Sequence, residues 1–440
     1  MAHSLSIFDQ KHPPSEELIS DCVHCGFCLP TCPTYTLWGE EMDSPRGRIY
    51  LMKLGLDGAA EMGETYVGHF DKCLGCMACL TACPSGVQYD KLIEATRAQV
   101  ERNYPRTFAD RSFRALLFAL FPHPGRLRVA AAPLWLYQRT GLQWLLRRSG
   151  LLKLLPARLR AMESLSPPVT LDAFRPRMPQ FVPARGERRG RVGLLAGCVQ
   201  SVFFRHVNDA TARVLAAEGY DVVIPRGQGC CGALMVHAGR EEQALELARQ
   251  AIDTFEAADV EFVVINAAGC GSTMKEYGHL LRDDPRYAGR AKALAAKCRD
   301  VSEVLAGVEP RAPRHPVPLR VAYHDACHLQ HAQRVKLQPR QVLATVPGLE
   351  VVEVPDAAIC CGSAGIYNLV EPQAAQELGD LKVENILKIG AQAIVSSNPG
   401  CLLQIRAGLE RAGRPLPVMH MVELLDASIR ATTPIPTHRP

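Results

Sequence analysis

The pattern of apolar and polar residues predicts two similar units in the second half of the chain. Three short apolar runs, at 191–195, 221–224 and 261–266, have the length and composition of buried strands. Helical periodicity at 203–218 and 240–257 separates them. The second unit repeats this order, with strands predicted at 319–323, 350–354 and 391–396. Alternating strands and helices of this size predict a parallel sheet flanked by helices in each unit.

A basic region precedes these units, from residue 105 to residue 190. Its segments 113–121 and 142–155 predict amphipathic helices, interrupted at Pro122 and Pro124. The basic residues that alternate with Leu, Phe and Trp are Arg111, Arg114, Arg126, Arg128, Arg139, Arg147, Arg148, Lys153, Arg158 and Arg160. Two interpretations stay open: contact with an anionic membrane surface, or packing between domains or against a partner protein. The stretch 166–191, rich in proline and arginine, is predicted to be a linker.

The length, the net charge and the lack of long apolar runs limit the classes of protein to which the chain can belong. A chain of 440 residues is too long for one ordinary core, so two or three domains are expected. The net charge of +5 is small for this length and gives no indication of nucleic-acid binding. The first twenty residues lack the apolar core of a secretory signal, and no apolar run approaches the roughly 18 residues of a membrane span. We therefore expect a cytoplasmic protein, with peripheral contact at the cytoplasmic face of the inner membrane left open.

The cysteines point to metal or redox chemistry. In a reducing compartment, 17 cysteines are rarely disulfides. Two runs, at 22–33 and 73–84, each read C-x2-C-x2-C-x3-C-P, the pattern of two-cluster ferredoxins. Two-residue gaps let three thiolates surround one face of a cubane, while the fourth lies beyond a turn and reaches the other cubane. The pattern therefore predicts a small helical domain that resembles bacterial ferredoxins.

Because the fourth cysteine of each run crosses to the other cubane, the eight cysteines divide into ligand sets for two [4Fe–4S] clusters. The predicted sets are Cys22, Cys25, Cys28 and Cys83 for one cluster, and Cys73, Cys76, Cys79 and Cys32 for the other. A pair of zinc sites is the alternative, but a proline after the last cysteine of both runs favours clusters. Between the runs, the arginines of the segment 44–48 either balance cluster charge or belong to a solvated loop.

A second set of cysteines forms an internal repeat. Cys198, Cys230, Cys231 and Cys270 are matched by Cys327, Cys360, Cys361 and Cys401, at offsets of 129 to 131 residues. Agreement over four anchor points indicates duplication. Each group follows a predicted strand, so each copy can gather four sulfurs at the carboxyl edge of its sheet, where such folds bind ligands. These eight cysteines are candidate cofactor-binding residues, whereas Cys298 has no counterpart and is expected in the core.

Two further motifs near the repeat cysteines have less specific meanings. The segment 227–232 formally matches G-x-G-x-x-G, but two of its positions are repeat cysteines and the second copy lacks the glycines, so dinucleotide binding is not favoured. His324, His328 and His331 surround Cys327. They could ligate a metal, relay protons or donate hydrogen bonds to sulfur, and we favour a hydrogen-bonding or structural role.

Taken together, these motifs resemble one family. Paired ferredoxin motifs followed by two Cys-Cys-Gly (CCG) copies are similar to the iron–sulfur subunit of glycolate oxidase, whose CCG domains are related to heterodisulfide reductase. The closest local matches are the segments 22–35, 230–240, 323–333 and 398–401. The resemblance implies a multidomain fold of α+β and α/β class, a helical ferredoxin-like domain followed by a duplicated parallel-sheet CCG domain. The expected domains are 1–104 (ferredoxin-like), 105–190 (basic helices and linker), 191–315 (first CCG repeat) and 316–440 (second CCG repeat).

The resemblance also implies a division of labour. An FAD-containing glycolate oxidase subunit would oxidise the 2-hydroxy acid, and this chain would carry the electrons to a quinone-level acceptor without catalytic residues of its own. Two [4Fe–4S] clusters are expected, and further clusters in the repeats are left open, because Thr273 and Gln404 stand where some relatives have a fifth cysteine. The alternatives are a heterodisulfide-reductase-like subunit, an iron–sulfur subunit of a lactate or glycerol-3-phosphate dehydrogenase, and a non-catalytic metal-stabilised scaffold.

Overall fold

The structure, a computed structural model that describes residues 6–175 and 177–434, begins with a small helical unit. Its helices are α1 (Glu16–Ser20), α2 (Pro33–Trp38), α3 (Pro45–Leu56), α4 (Glu64–Asp71), α5 (Ala78–Ala82) and α6 (Tyr89–Asn103), with a 3-10 turn at Glu41–Asp43. Met52, Phe70 and Leu92 are fully buried in its core. The proline after the first cysteine run starts α2 rather than ending a helix, since a first-turn proline loses no hydrogen bond.

The basic region is helical over most of its length. It contains α7 (Phe108–Leu120), α8 (Pro124–Arg139), α9 (Leu142–Ser149) and α10 (Ala157–Ser164), with 3-10 turns at Leu151–Leu154 and Leu171–Phe174. Helix α7 buries Leu117 and Phe118 against Met235 and Ile366, which belong to the two different α/β units. This helix therefore packs between domains, whereas every residue of α9 is at least partly exposed.

The first α/β unit holds a five-stranded sheet. Its strands are β1 (Phe181–Val182), β2 (Gly190–Leu194), β3 (Tyr220–Val223), β4 (Phe262–Ile265) and β5 (Cys298–Asp300), in the order β1-β3-β2-β4-β5. Its helices are α11 (Gln200–Phe203), α12 (Arg205–Ala217), α13 (Ala233–His237), α14 (Glu241–Glu256), α15 (Ala268–Lys275), α16 (Tyr277–Leu280), α17 (Ala288–Lys297) and α18 (Val301–Ala306). All pairings are parallel except that of β1, which lies inside the predicted linker.

The second α/β unit repeats the centre of this sheet. Its strands are β6 (Arg320–Tyr323), β7 (Glu350–Glu353), β8 (Ala393–Ser396) and β9 (Val418–His420), in the order β7-β6-β8-β9 and parallel throughout. Its helices are α19 (Leu337–Ala344), α20 (Tyr367–Val370), α21 (Pro372–Lys388), α22 (Pro399–Arg411) and α23 (Met421–Ile429), with a π-helical turn at His328–Ala332. The parallel α/β class predicted for both units is therefore confirmed.

Equivalent hydrogen bonds relate the two units residue by residue. The N–H of Leu195 donates to Val264 O at 3.0 Å, and the N–H of His324 donates to Val395 O at 2.8 Å. Both donors are the first residue after the central strand, β2 or β6. One apolar cluster, which contains Val192 and Leu424 among others, continues from one unit into the other. Over the described residues, no helix is both long enough and apolar enough to cross a membrane.

Candidate metal centres

Left-handed backbone shapes both ferredoxin-type loops in the same way. His24 and Gly26 flank Cys25 with φ of 54° and 87°, and Gly75 and Met77 flank the corresponding cysteine of the second run with φ of 63° at both. Residues with a side chain rarely adopt this conformation, because it crowds their Cβ. In both loops a pair of left-handed residues, one of them a glycine, flanks the middle cysteine and turns the loop back on itself.

The first pocket is open to solvent. Its lining includes Cys22, Cys25, Cys28 and Cys83, which come from both runs. Cys25 is exposed and the other three are half-buried. The lining also includes Val23 and Phe27, which are 69% and 67% exposed. This pocket therefore has an apolar rim that another molecule could cover.

The second pocket is buried. Cys32, Cys73, Cys76 and Cys79 line this pocket together, and all four are shielded from solvent. Cys79 also lines the first pocket, so the two pockets are adjacent. Each pocket thus gathers three cysteines of one run and the fourth of the other, the grouping expected from the crossing. Four thiols are a donor set that suits an iron–sulfur cluster.

Arg48 lies beside the second pocket without access to solvent. Its side chain is 1% exposed, and it donates to His69 O at 2.6 Å and to Thr34 Oγ1 at 3.2 Å. Asp43, 3.4 Å from the guanidinium, is equally buried. Burial would lower the pKa of Arg48, but the nearby Cys73 and other acidic groups raise it instead. Arg48 is therefore a fixed buried cation and not part of a solvated loop.

Arg46 has the equivalent position at the first pocket. It lines that cavity and donates to His24 O at 2.9 Å and to Glu41 Oε1 at 2.6 Å. Gly26 has φ of 87°, a conformation that favours glycine, and a Cβ added there would lie 2.9 Å from Arg46 Nη1. Each pocket is thus lined by one arginine of the segment 44–48, the first by Arg46 and the second by Arg48.

Arg97, in α6, is a site residue that the sequence did not single out. It donates to the carbonyl of Cys73, although no motif residue lies near it in sequence. Burial raises the pKa of Cys73, but Arg48 and Arg97 outweigh that effect and hold the pKa below its ordinary value. Burial raises the pKa of Cys79 well above its ordinary value. At Cys73, the positive charge of the two arginines therefore favours the thiolate form that binds metal.

Each α/β unit collects its four repeat cysteines into a chain of thiols. In the first copy, Cys198 Sγ is 3.5 Å from Cys230 Sγ, and Cys231 and Cys270 belong to the same cluster of packed residues. In the second copy, Cys327 Sγ is 3.8 Å from Cys360 Sγ, and the sulfurs of Cys361 and Cys401 lie within 4.8 Å of each other. The structure therefore brings together each set that the repeat predicts.

The glycine of each CCG motif is required by the backbone. Gly232 and Gly362 have φ of 84° and 90°. A Cβ on Gly362 would lie 2.3 Å from the carbonyl oxygen of Ala375, and one on Gly232 would lie 3.4 Å from that of Ala244. The two cysteines are thus held where the chain turns sharply under a helix.

The three histidines near Cys327 have different environments. His328 Nδ1 is 3.5 Å from Cys327 Sγ, and its Nε2 is 2.9 Å from Nε2 of His237 in the first copy. His331 bonds Thr81 Oγ1 at 2.7 Å and Ala358 O at 3.1 Å. These two agree with the hydrogen-bonding role that the sequence favoured. His324 differs, since it is 1% exposed and neither ring nitrogen is hydrogen-bonded to an oxygen or nitrogen atom in the described part of the chain.

The second pocket and the second CCG copy are neighbours. Cys76 belongs to the same apolar cluster as Cys327 and Cys360. A Cβ on Gly75 would lie 3.2 Å from Nδ1 of His237, so the histidine pair also reaches the loop of the second cysteine run. The cysteines of the first copy belong to a different apolar cluster, together with Tyr277. The two copies therefore differ in their relation to the ferredoxin-like unit.

The positions of the absent fifth cysteines are filled in different ways. Gln404 is 2% exposed and donates to Ala375 O at 2.7 Å. Thr273 is 8% exposed, within α15. Cys298 is fully buried in β5, as expected of a core residue.

Comparisons with known proteins agree with this organisation. Residues 18–87 match the 4Fe-4S dicluster domain, residues 109–166 match the linker region of the glycolate oxidase iron-sulfur subunit, and residues 192–275 and 321–406 each match the cysteine-rich domain. A "Probable glycolate oxidase iron-sulfur subunit" from Bacillus subtilis (strain 168) is 42% identical over 94% of this chain and 95% of its own length. A "Glycolate oxidase iron-sulfur subunit" from Escherichia coli (strain K12) is 36% identical over 94% of this chain and 95% of its own length.

A solved structure shares the fold. The crystal structure of a hypothetical protein from Helicobacter pylori superposes with a TM-score of 0.52 at 8% identity, covering 88% of this chain and 68% of that chain. At that identity the similarity concerns the fold alone.

Proposed function

This chain belongs to the family of glycolate oxidase iron–sulfur subunits, and we propose that it carries electrons from an FAD-containing partner subunit to a quinone-level acceptor. The partner would oxidise glycolate or a related 2-hydroxy acid, and this chain would take up the electrons one at a time. The observation that carries the proposal is the pair of adjacent four-thiol pockets in a chain that aligns with its relatives over nearly its full length.

The eight ferredoxin-type cysteines would hold two clusters in crossed sets. Cys22, Cys25, Cys28 and Cys83 would bind one [4Fe–4S] cluster, and Cys73, Cys76, Cys79 and Cys32 the other. When bound, such clusters supply one-electron redox centres. The chain's own contribution is electrostatic and geometric: Arg46 and Arg48 offset the negative charge of the thiolates, and Cys79 lies in the wall between the two pockets.

The exposure of the first pocket suggests where electrons enter or leave. Cys25 is exposed, whereas the second pocket is buried next to the second CCG copy. Electron transfer between proteins needs close approach, so a partner would dock over the apolar rim that contains Val23 and Phe27. The cysteines of the CCG copies would bind further metal centres or act as redox thiols in the same chain.

Reduction by the partner tests the function. The purified full-length chain, prepared without oxygen, is mixed with the FAD-containing subunit and glycolate, and the reduced clusters are followed by EPR. We expect reduction only when both are present, because in this proposal the flavin belongs to the partner subunit. Turnover of glycolate by the isolated chain would contradict the proposal. So would clusters that dithionite reduces but glycolate and the flavoprotein together do not.

We also propose peripheral contact between the segment 142–155 and an anionic membrane surface. In support, Trp144, Leu145, Leu151 and Leu154 are 62%, 54%, 53% and 82% exposed. Arg147, Arg148 and Lys153 lie among them. A basic segment with exposed aromatic and aliphatic side chains suits the boundary between lipid headgroups and acyl chains.

A further inference from the structure

One buried imidazole in the second CCG copy faces thiols and has no oxygen or nitrogen partner. Neither Nδ1 nor Nε2 of His324 is hydrogen-bonded to an oxygen or nitrogen atom of the described residues, although the side chain is 1% exposed; the polar groups beside it are the thiols of Cys361 and Cys401. Its backbone is held on both sides, because its N–H donates to Val395 O and its carbonyl accepts from Ser396 Oγ at 3.0 Å. A buried polar group without such a partner is costly, so its retention calls for an explanation.

Other buried histidines of the chain are satisfied by protein atoms. His420 is fully buried, and its Nε2 is 2.9 Å from Asn266 O while its Nδ1 accepts from the N–H of Val422 at 3.2 Å. His331, 4% exposed, also has a partner at each nitrogen. Imidazoles with a structural role in this fold are therefore hydrogen-bonded, and His324 departs from that rule.

His324 is directed at the thiols of the second copy. A ring nitrogen of His324 and the sulfurs of Cys361 and Cys401 all lie within 4.8 Å of one another. In residues 6–175 and 177–434, no other group of three or more His, Cys, Asp or Glu side chains is this close. With bonds of about 2.0–2.3 Å, two ligand atoms of one tetrahedral metal lie about 3.3–3.8 Å apart. A shortening of each separation by at most about 1.5 Å would therefore bring all three atoms onto a shared metal.

The first copy provides an internal comparison. Leu195 occupies the position of His324, with the same N–H bond to the neighbouring strand. Its side chain is 3% exposed and belongs to the apolar cluster that contains Cys198, Cys230 and Cys231. The duplicated fold thus accommodates an apolar residue here, and an imidazole is not required for folding.

We propose that His324 is a nitrogen ligand to a thiophilic metal centre held by Cys327, Cys360, Cys361 and Cys401. The inference rests on the proposed function in that it takes the CCG cysteines as metal ligands. The second copy then offers four sulfurs and one nitrogen, whereas the first offers four sulfurs only. The fifth donor comes from the residue after the central strand, and not from position 404, where Gln404 bonds the backbone of Ala375.

The nitrogen donor would change the charge and the reduction potential of the second centre. An imidazole ligand is neutral, whereas a fifth thiolate would add a negative charge, and histidine ligation raises the potential of iron–sulfur centres. The second copy also lies nearest the buried ferredoxin-type pocket. Both an iron–sulfur cluster and a single zinc ion combine thiolate and imidazole ligands, so the test must identify the metal.

The test compares full-length wild type with His324→Leu, which introduces the residue of the first copy. His331→Gln is the control, because it changes a buried histidine of the same copy that has protein partners. Iron and zinc are quantified in anaerobically purified protein labelled with nitrogen-15 in histidine. Pulsed EPR of the reduced protein detects nitrogen bound to iron, and zinc-edge X-ray absorption detects nitrogen bound to zinc.

We expect wild type and His331→Gln to show a directly coordinated histidine nitrogen that is absent from His324→Leu. Identical nitrogen signals in wild type and His324→Leu would overturn the inference. So would a metal centre with sulfur ligands only, or no metal beyond the ferredoxin-type clusters. In all of these outcomes, an intact EPR signal from the two ferredoxin-type clusters leaves the proposed function standing. Loss of that signal from the wild type would count against the proposed function instead.

Discussion

Cys79 lines both ferredoxin-type pockets, so the two clusters would lie next to each other with this residue in contact with both. The pocket that contains Cys22 also contains Cys83, and the pocket that contains Cys73 also contains Cys32. In a linear arrangement, each run would instead supply all four ligands of one cluster. The two arrangements differ only in the fourth cysteine of each run, so paired substitutions can distinguish them.

We expect Cys22→Ala with Cys83→Ala to remove one cluster and Cys22→Ala with Cys32→Ala to remove both. In the crossed arrangement the first pair belongs to a single cluster, so the protein should lose about four irons, whereas the second pair should cost about eight. Iron analysis of anaerobically purified protein measures the loss, and the variant Cys298→Ala is the control. The opposite result, with the larger loss from the pair at positions 22 and 83, would establish linear ligation.

The ligand residues could be grouped from sequence, but their surroundings could not. Spacing alone placed the eight cysteines in two crossed sets, because short loops leave few geometries. Arg48 could not be distinguished from a residue of a solvated loop, since its partners Asp43, Thr34 and His69 come from separate elements. For His324, the sequence indicated only a group of three histidines. The absence of an oxygen or nitrogen partner at its ring is a property of the packed structure.

At the scale of elements, the N-terminus of α18 contains a buried acid. Asp300 is 1% exposed and caps the helix, accepting from the N–H of Ser302 at 2.9 Å and from its hydroxyl at 2.6 Å. Glu303 accepts from the N–H of Asp300 in return, and Lys275 pairs with Glu303 at 2.5 Å. Burial raises the pKa of Asp300 from 3.8 to about 6, despite the hydrogen bonds from Ser302 that favour the anion.

We expect the free energy of unfolding to fall as the pH rises from about 4 to about 6, the interval between the ordinary pKa of an aspartate and the raised pKa of Asp300. The folded chain binds a proton at Asp300 that the unfolded chain has already released, so raising the pH from about 5 to about 6 should cost about 1 kcal/mol. Asp300→Asn keeps a good cap but cannot titrate, and this part of the pH dependence should vanish. Denaturant unfolding of both proteins at each pH measures the difference. Parallel pH profiles for wild type and variant would refute the assignment.

The sequence located long, periodic elements better than short ones. The three predicted strands of each unit coincide with β2, β3 and β4, and with β6, β7 and β8, to within about two residues. Strands β1, β5 and β9 were missed because two or three residues carry no measurable periodicity. Helix α8 was missed because Pro124 suggested an interruption, whereas it occupies the first turn, where proline is tolerated.

At the scale of the whole molecule, the two duplicated units have different neighbours. Both sheets share one apolar core, yet only the second copy contributes Cys327 and Cys360 to the cluster of residues around Cys76. The ferredoxin-like unit therefore faces the two copies unequally. If the copies bind metal, the arrangement provides a short continuation from the buried pocket into the second copy. The first copy has no comparable contact through its cysteines in the part of the chain that the structure describes.

The basic helices divide between the two interpretations that their sequence left open. Leu117 and Phe118 of α7 bridge the two α/β units, so that helix belongs to the packed body of the protein. The segment 142–155 remains exposed, although Arg147 pairs with Glu163 at 2.8 Å and Arg148 lies 5.3 Å from the centre of the Trp144 ring. Exposed apolar side chains beside basic ones also occur elsewhere in the region, as at Val129, but this segment adds the exposed ring of Trp144.

We expect the full-length chain to bind vesicles that contain anionic lipid, and Trp144→Glu with Leu154→Glu to weaken that binding about a hundredfold. Each side chain would lose about 1.5–3 kcal/mol of apolar burial, partly offset because neither is fully inserted. Co-sedimentation with anionic and with neutral vesicles measures the affinity. Leu337→Glu, a change at another leucine that is 65% exposed, is the matched control and should bind like the wild type.

Two further measurements distinguish membrane binding from protein binding by the segment 142–155: one varies the salt concentration, and the other adds the flavoprotein partner. Attraction between basic side chains and anionic lipid is screened, so membrane binding should weaken as ionic strength rises. If the double variant binds vesicles like the wild type but no longer binds the FAD-containing subunit, the segment is a protein interface. Membrane contact would equally be excluded if the wild-type chain bound neither anionic nor neutral vesicles. Either result would leave the cluster pockets unaffected, since they lie in the ferredoxin-like unit and not in this segment.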